Sequence, residues 1–200
     1  MGIIAFLMEL IEEFLIDNRN DILQNIIGNL KKLDFFYGWL FLIFWSFSIA
    51  TVASAFTVYI APSAYASGIP EIMAILNGVK FPDFIGIKPL IVKIISVSMG
   101  IGSSLCIGKE GPLAHIGAII GHIVIYLPVD KFKYFRNDES KREFLAAGVS
   151  AGISAAFASP IGGTLFSYEL SKPTTFWTFS MIWRIFFCSS VSTFTLSILN

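Results

Sequence analysis

Four stretches of this chain carry no Asp, Glu, Lys or Arg: Phe35 to Pro70, Gly111 to Val129, Phe144 to Tyr168 and Ile185 to Asn200. Glycine and proline cut several of them into pieces too short to cross a bilayer. A transmembrane helix needs about 20 apolar residues to cover a hydrocarbon core of ~30 Å. Phe35 to Ala61 is long enough, is flanked by Phe36, Tyr37 and Trp39, and reads as a full span. Lys88 to Ile107 reads as a second span, with Lys88 and Lys93 near its start, and Thr174 to Leu199 as a final one. Pro112 to Leu127 and Phe144 to Ser159 are different. Each offers 16 residues before a proline, about 24 Å of helix at 1.5 Å per residue. Pro160 to Leu170 is shorter again. Such lengths describe half-helices that meet inside the membrane, where protein or a water-filled cavity must cover the freed backbone groups.

Composition agrees with a membrane protein. Of the 200 residues, 55% are hydrophobic and only 14% charged, against about 25% charged in soluble domains. Net formal charge is zero, so no polybasic surface is offered to nucleic acid. The first residues, "MGIIAFLMELIEEFLIDNRND", are acidic where a secretory signal would be basic, and Phe6 breaks the myristoylation pattern. Ile3, Leu7, Leu10, Ile11 and Phe14 recur at helical spacing among Glu9, Glu12 and Glu13. Ile3 to Leu15 is thus an amphipathic helix, either at the interface or the end of an incomplete first span. Residues 17–34 read as a polar connection, and residues 1–34 as an appendage to membrane helices that fill 35–200 of one domain. The loop Asp130 to Arg142, "DKFKYFRNDESKR", carries five basic and three acidic residues and is cytoplasmic by the positive-inside rule.

Several chemistries are excluded. "GSSLCIGKE" imitates a phosphate-binding loop, but five residues separate Gly102 from Gly108 and Glu110 stands where a metal-binding hydroxyl belongs. Leu105 breaks the dinucleotide pattern. Cys106, Cys188, His115 and His122 read as packing residues, since no third metal ligand lies near the histidines. No nucleophile, base and orienting group stand together, so an enzyme is disfavoured. Gly117 with Gly121, and Gly148 with Gly152, are small-xxx-small pairs that let helices approach closely.

Lys109 and Glu110 are the unusual feature. Gly108 and Gly111 flank them, and Pro112 suits the first turn of a helix. This puts Glu110 at a helix N-terminus, where free N–H groups and the dipole favour an anion. In "SGIPE", Ser67 and Gly68 precede Pro70 and a short helix between Ser67 and Asn77, with Ser67 as its expected cap. "SPIGG" at 159–163 is a third break without a charge. Interrupted helices aiming N-termini at the midplane are the pattern of transporter binding sites.

"ASGIPE", "GKEGP" and "GVSAGISAAFASPIGGTLFSYEL" resemble the three signature regions of the CLC chloride channel and chloride/proton antiporter family, in the family's order. "ILNGVK" and "YFRNDESKREF" are most similar to the endosomal and lysosomal branch. The resemblance implies an all-α polytopic fold of two inverted halves, of which this chain matches the first. It implies a homodimer with one chloride pathway per subunit, no cofactor beyond the transported ion, and an endosomal, lysosomal or vacuolar membrane. Ser67 and Gly68 would contact the central anion. Glu110 would be the gate, and Gly108, Lys109 and Gly111 would contribute to the outer anion site. A serine at 67, where nitrate-preferring members carry proline, resembles the chloride-preferring ones. Antiporters of the family carry two acids after the "LFS" segment, the second taking protons from inside. Here Glu169 matches the first and Leu170 replaces the second. Leu170 makes a passive, voltage- or pH-gated chloride channel the expected function, with a chloride/proton antiporter of the endosomal or lysosomal type, which the branch resemblance suggests, as the alternative. A truncated, non-conducting subunit is a third possibility.

Overall fold

The computed structural model describes residues 1–27, 32–81, 83–127, 136–171 and 178–200, with the backbone alone at 27 and 32–35. Within these residues every regular element is helical: α1 (Gly2–Ile27), α2 (Lys32–Tyr59), a 3-10 turn at Pro62–Ala64, α3 (Ile69–Leu76), α4 (Ile87–Gly102), α5 (Glu110–Ile125), α6 (Asp138–Phe157), α7 (Pro160–Ser171) and α8 (Phe179–Leu199).

Three boundaries differ from the sequence reading. α1 runs 26 residues, straight through the stretch expected to be a polar connection. No glycine or proline stands between Ile3 and Ile27, and the polar residues 17–21 lie on partly exposed helical surface, where they disturb nothing. α4 is shorter than the expected span, ending at Gly102 after 16 residues. Ser103 Oγ donates to the Gly100 carbonyl at 2.6 Å, and Ser104 adopts a left-handed φ of 65°. Together they turn the chain out of the helix. α6 is longer, 20 residues from Asp138. The Asn137 side chain accepts from the Asp138 N–H at 2.8 Å, with Asp138 and Glu139 in the first turn complementing the dipole. So α6, expected as a half-helix, reaches about 30 Å. The remaining basic-loop residues, from Asp130 to 135, lie outside the described residues, as does the expected start of the last span at Thr174.

α5 sits at the centre. Every residue from Gly111 to Ile119 is buried. It crosses α6 at backbone contact: a Cβ on Gly117 would overlap the Gly148 carbonyl oxygen, one on Gly148 the Gly117 oxygen, and one on Gly152 the Leu113 oxygen. The two glycine pairs therefore face each other, the use expected of small-xxx-small motifs. α8 is tied to α6 by Ser150 and Ser189, whose hydroxyls lie 2.5 Å apart, and by Ser192 Oγ donating to the Ala151 carbonyl at 3.0 Å. Ser167 on α7 donates to the Ala146 carbonyl at 2.8 Å. Two apolar clusters surround this hub. One joins Ile72, Leu76, Ala118, Val149, Leu170 and Ile185. The other joins Met8 of α1, Val97 of α4, Leu113 and Ile116 of α5, and Leu196 of α8.

Candidate anion site at the broken helices

Ser67 is set in place by backbone shape. Ala66 has a φ of 59° and Gly68 one of 83°, so left-handed residues stand on both sides of it. The cap of α3 is Gly68 rather than the expected Ser67, with the Ile72 N–H donating to the Gly68 carbonyl at 3.0 Å. Ser67 Oγ accepts from the Ile69 N–H at a long 3.4 Å. A hydroxyl that accepts this bond keeps its proton free to donate elsewhere.

Gly68 must be glycine for two reasons. Its φ is one that side chains rarely adopt, and a Cβ there would stand 2.8 Å from the His115 ring. His115 is buried, stacked on Phe84 with centroids 4.0 Å apart and planes at 10°. Its Nε2 lies 3.2 Å from the Phe84 carbonyl; a carbonyl only accepts, so Nε2 carries the proton. The sequence reading of His115 as a packing residue fits this environment. His122 sits against the Tyr126 ring, with centroids 4.8 Å apart.

The start of α5 meets this turn. A Cβ on Gly111 would lie 2.6 Å from Ser67 Cβ, so the Ser67 turn and the first turn of α5 are in van der Waals contact. Glu110 is the first residue of α5, with Lys109 as its cap. The Glu110 carboxylate folds back over Gly108: Oε2 occupies the space a Cβ on Gly108 would need. Any side chain at 108 would displace the carboxylate.

A cavity of about 340 Å³ opens beside these breaks, lined by Ser67, Gly108, Pro112, Ala66, Lys93 and Ser96 among others. Ser67 and Gly108, far apart in sequence, thus share one cavity. Gly68 and Gly111 lie behind them as the contact that allows the approach. Lys109 turns away. Its ammonium pairs with Glu9 of α1 at 2.8 Å, so its side chain does not face the cavity. Leu170 is buried in the cluster of α3, α5, α6 and α8, and Glu169 is exposed.

Two residues went unread in the sequence. Lys93 is 1% exposed. Its Nζ donates to the Ala64 carbonyl at 2.9 Å and also to the Ala66 carbonyl, pinning the segment that presents Ser67. A lysine nearly two turns inside an apolar helix is a signal in itself, because intramembrane charges are expensive and rarely idle. Glu9 is the second; the amphipathic pattern of α1 marks its face but not its partner.

This arrangement of interrupted helices can be set against known proteins. A family model described as voltage gated chloride channel matches residues 49–200. The chain belongs to the CLC family. Chloride channel protein D of Dictyostelium discoideum is 36% identical over 207 residues, covering all of this chain and 20% of that protein. H(+)/Cl(-) exchange transporter 7 of Homo sapiens is 37% identical over 209 residues, covering 98% of this chain and 26% of the relative. This CLC chain therefore spans about a fifth to a quarter of the length of those relatives. Its fold superposes on a eukaryotic CLC transporter with a TM-score of 0.80 at 23% identity, over 100% of this chain and 36% of the other. A slow cyanobacterial Cl-/H+ antiporter gives 0.81 at 23%, over 100% and 44%. The partial, all-helical CLC fold expected from the signature regions is the fold found, and CLC proteins are membrane proteins. Two helical stretches, Phe36–Tyr59 and Phe179–Leu199, are long and apolar enough to cross a bilayer among the described residues.

Proposed function

We propose that this chain forms the amino-terminal half of a chloride pathway that exchanges chloride for protons. The observation that supports the pathway is the shared cavity: Ser67 and Gly108 line one space, with the Glu110 carboxylate folded over Gly108. Ser67 and the start of α3 bind the central anion. The N–H groups at the start of α5 serve an outer anion, and Glu110 competes for that place until a proton neutralises it. A helix N-terminus inside a water-poor setting suits either anion. Lys93 holds the Ser67 turn, and Lys109 contributes through its backbone and its pairing with Glu9. The working unit is a pair of such subunits, each with its own pathway, in an endosomal, lysosomal or vacuolar membrane.

Exchange is favoured over the passive channel expected from Leu170. Relatives named H(+)/Cl(-) exchange transporter 7 are 37% identical in the human protein and 42% identical over 153 residues in the mouse protein. Passive conduction is the second reading, favoured by one observation: Leu170 is an apolar side chain packed in the core, and it cannot take up a proton. Exchange then requires the inner proton to use another group or water. Full-length transporter in liposomes, given a chloride gradient, separates the two. Exchange drives protons uphill at a fixed ratio to chloride, recorded as a change of internal pH. Downhill chloride flux without proton movement would overturn exchange and establish the channel.

A further inference from the structure

Part of the cavity wall is built without a helix. Leu105, Ile107 and Gly108 line the cavity, and they belong to the stretch between the end of α4 at Gly102 and the start of α5 at Glu110. Residues 104–108 are exposed. Ser104 takes a left-handed φ of 65°. The Leu105 N–H reaches the Gly100 carbonyl at a long 3.4 Å, and the Ile107 N–H turns back to the Leu105 carbonyl at 2.8 Å. Holding such a stretch in one place costs conformational entropy. A wall that is ordered beforehand binds more tightly, because that cost does not fall on the binding step.

α1 supplies the anchors. Leu15 packs on the last residue of α4: a Cβ on Gly102 would stand 2.7 Å from Leu15 Cδ1. Arg19 lies one turn further along the same face of α1 and donates through Nη1 to Ser104 Oγ. Its Nε and Nη2 both donate to Asn20 Oδ1, at 3.2 and 2.9 Å, so the guanidinium is itself held. At the other end of the stretch, Glu9 pairs with Lys109 at 2.8 Å. Glu9 and Arg19 stand on one unbroken helix, about 15 Å apart along its axis. A single rigid element thus grips both ends of the cavity-lining stretch.

We infer that Arg19 is a positioning residue for the anion site: through Ser104 it fixes the wall formed by Leu105, Ile107 and Gly108. The inference rests on this cavity being the place where the anion binds. Arg19 itself does not line the cavity, so it acts through the turn at Ser104. An arginine also carries a charge that an anion feels at a distance. Ser104→Ala separates the two effects, since it removes the bond and leaves every charge in place.

The test measures chloride flux against chloride concentration in full-length transporter reconstituted in liposomes. Arg19→Ala raises the half-saturating chloride concentration about fivefold. A merely structural defect would lower the maximal flux with the amount of folded protein and leave half-saturation where it was. Ser104→Ala gives the same rise, and the double variant adds nothing further, because both changes remove one bond. Asp17→Asn, an exposed neighbour on α1, leaves half-saturation in place. An unmoved value in folded Arg19→Ala protein overturns the proposal. So does a rise that Ser104→Ala does not share, one that Asp17→Asn matches, or one that doubles up in the double variant. If Arg19→Ala yields no folded protein, Ser104→Ala decides: a rise supports the proposal and an unmoved value overturns it. Ser67→Ala separates this inference from the reading beneath it. Raised half-saturation in Ser67→Ala with an unmoved value in Arg19→Ala defeats only the positioning role. If neither variant moves it, the cavity is not the anion site and both readings fall.

Discussion

α2 and α5 are both strongly apolar helices, yet α2 leaves its large side chains exposed and α5 is enclosed by protein. α2 is 28 residues long, about 42 Å, and its surface is large aromatic side chains: Phe36, Tyr37, Trp39, Phe44 and Phe47 are all exposed. α5 is 16 residues, about 24 Å, and Ala114, Gly117, Ala118 and Gly121 are buried on it beside Leu113, Ile116 and Ile119. Lipid tails are as apolar as leucine, so hydrophobicity alone cannot choose between these fates. Length and side-chain size choose. A short helix begins inside the bilayer with unpaired N–H groups that only protein, water or an anion can satisfy. Its small residues let neighbouring backbones come close enough to provide that cover. The helix too short to cross a membrane is the one that begins at the candidate site.

The comparison is most sharply tested at the α5–α6 crossing. Gly148→Leu places a side chain where the Gly117 carbonyl stands, and destabilisation of about 3–5 kcal/mol or outright loss of the folded protein is expected. Thermal melting in detergent followed by size-exclusion reads it, and a melt like the parent's would break the claim of backbone contact. Lys93→Met comes next. It strips the Ala64 and Ala66 carbonyls of their donor, at a cost of about 2–4 kcal/mol; the same melting assay applies, and a neutral result would mean that water replaces the ammonium.

Gly68→Ala combines a φ of 83° with a contact to His115, and about 1–3 kcal/mol is expected. Pairing it with His115→Ala sharpens the reading. The double variant recovers the steric part of the loss and leaves the backbone part. Ser67→Pro removes a hydroxyl donor, and the chloride-over-nitrate permeability ratio in the full-length transporter falls by about tenfold, equivalent to 1.4 kcal/mol. Identical ratios would remove Ser67 from the anion site. At the far end of the scale, Phe44→Leu on the exposed face of α2 changes the melt by no more than about 0.5 kcal/mol.

Much of this was legible in the residues. The span at α2, the short helix α3, the start of α5 at Glu110 and the break before Pro160 follow from glycine, proline and the placing of charge. So does the family, through "GKEGP" and its companions. Boundaries fared worse where polar residues continued a helix. Asp17 to Asp21 look like a loop in sequence, but without a glycine or proline they stay helical and form a wet face of α1. Asn137 and Asp138 read as part of the loop from Asp130 to Arg142, but they are the cap and the first residue of α6. Lys93 was visible as a charge but not as a brace, because its carbonyl partners lie 27 and 29 residues earlier.

The sequence by itself determined that the chain is built of apolar helices and where α3, α5 and α7 begin. Those limits come from local chemistry: glycine's freedom, proline's missing N–H and the cost of charge in lipid. It also determined that glycines recur every four residues on two helices. Only the tertiary structure decided that Gly117 and Gly148 face each other, and that Ser67 lies against Gly111. It also decided that Lys109 reaches across a hundred positions to Glu9. Each of those pairings joins residues remote along the chain. Their choice follows from which backbones can approach within contact distance, a property of packed helices that no local pattern carries.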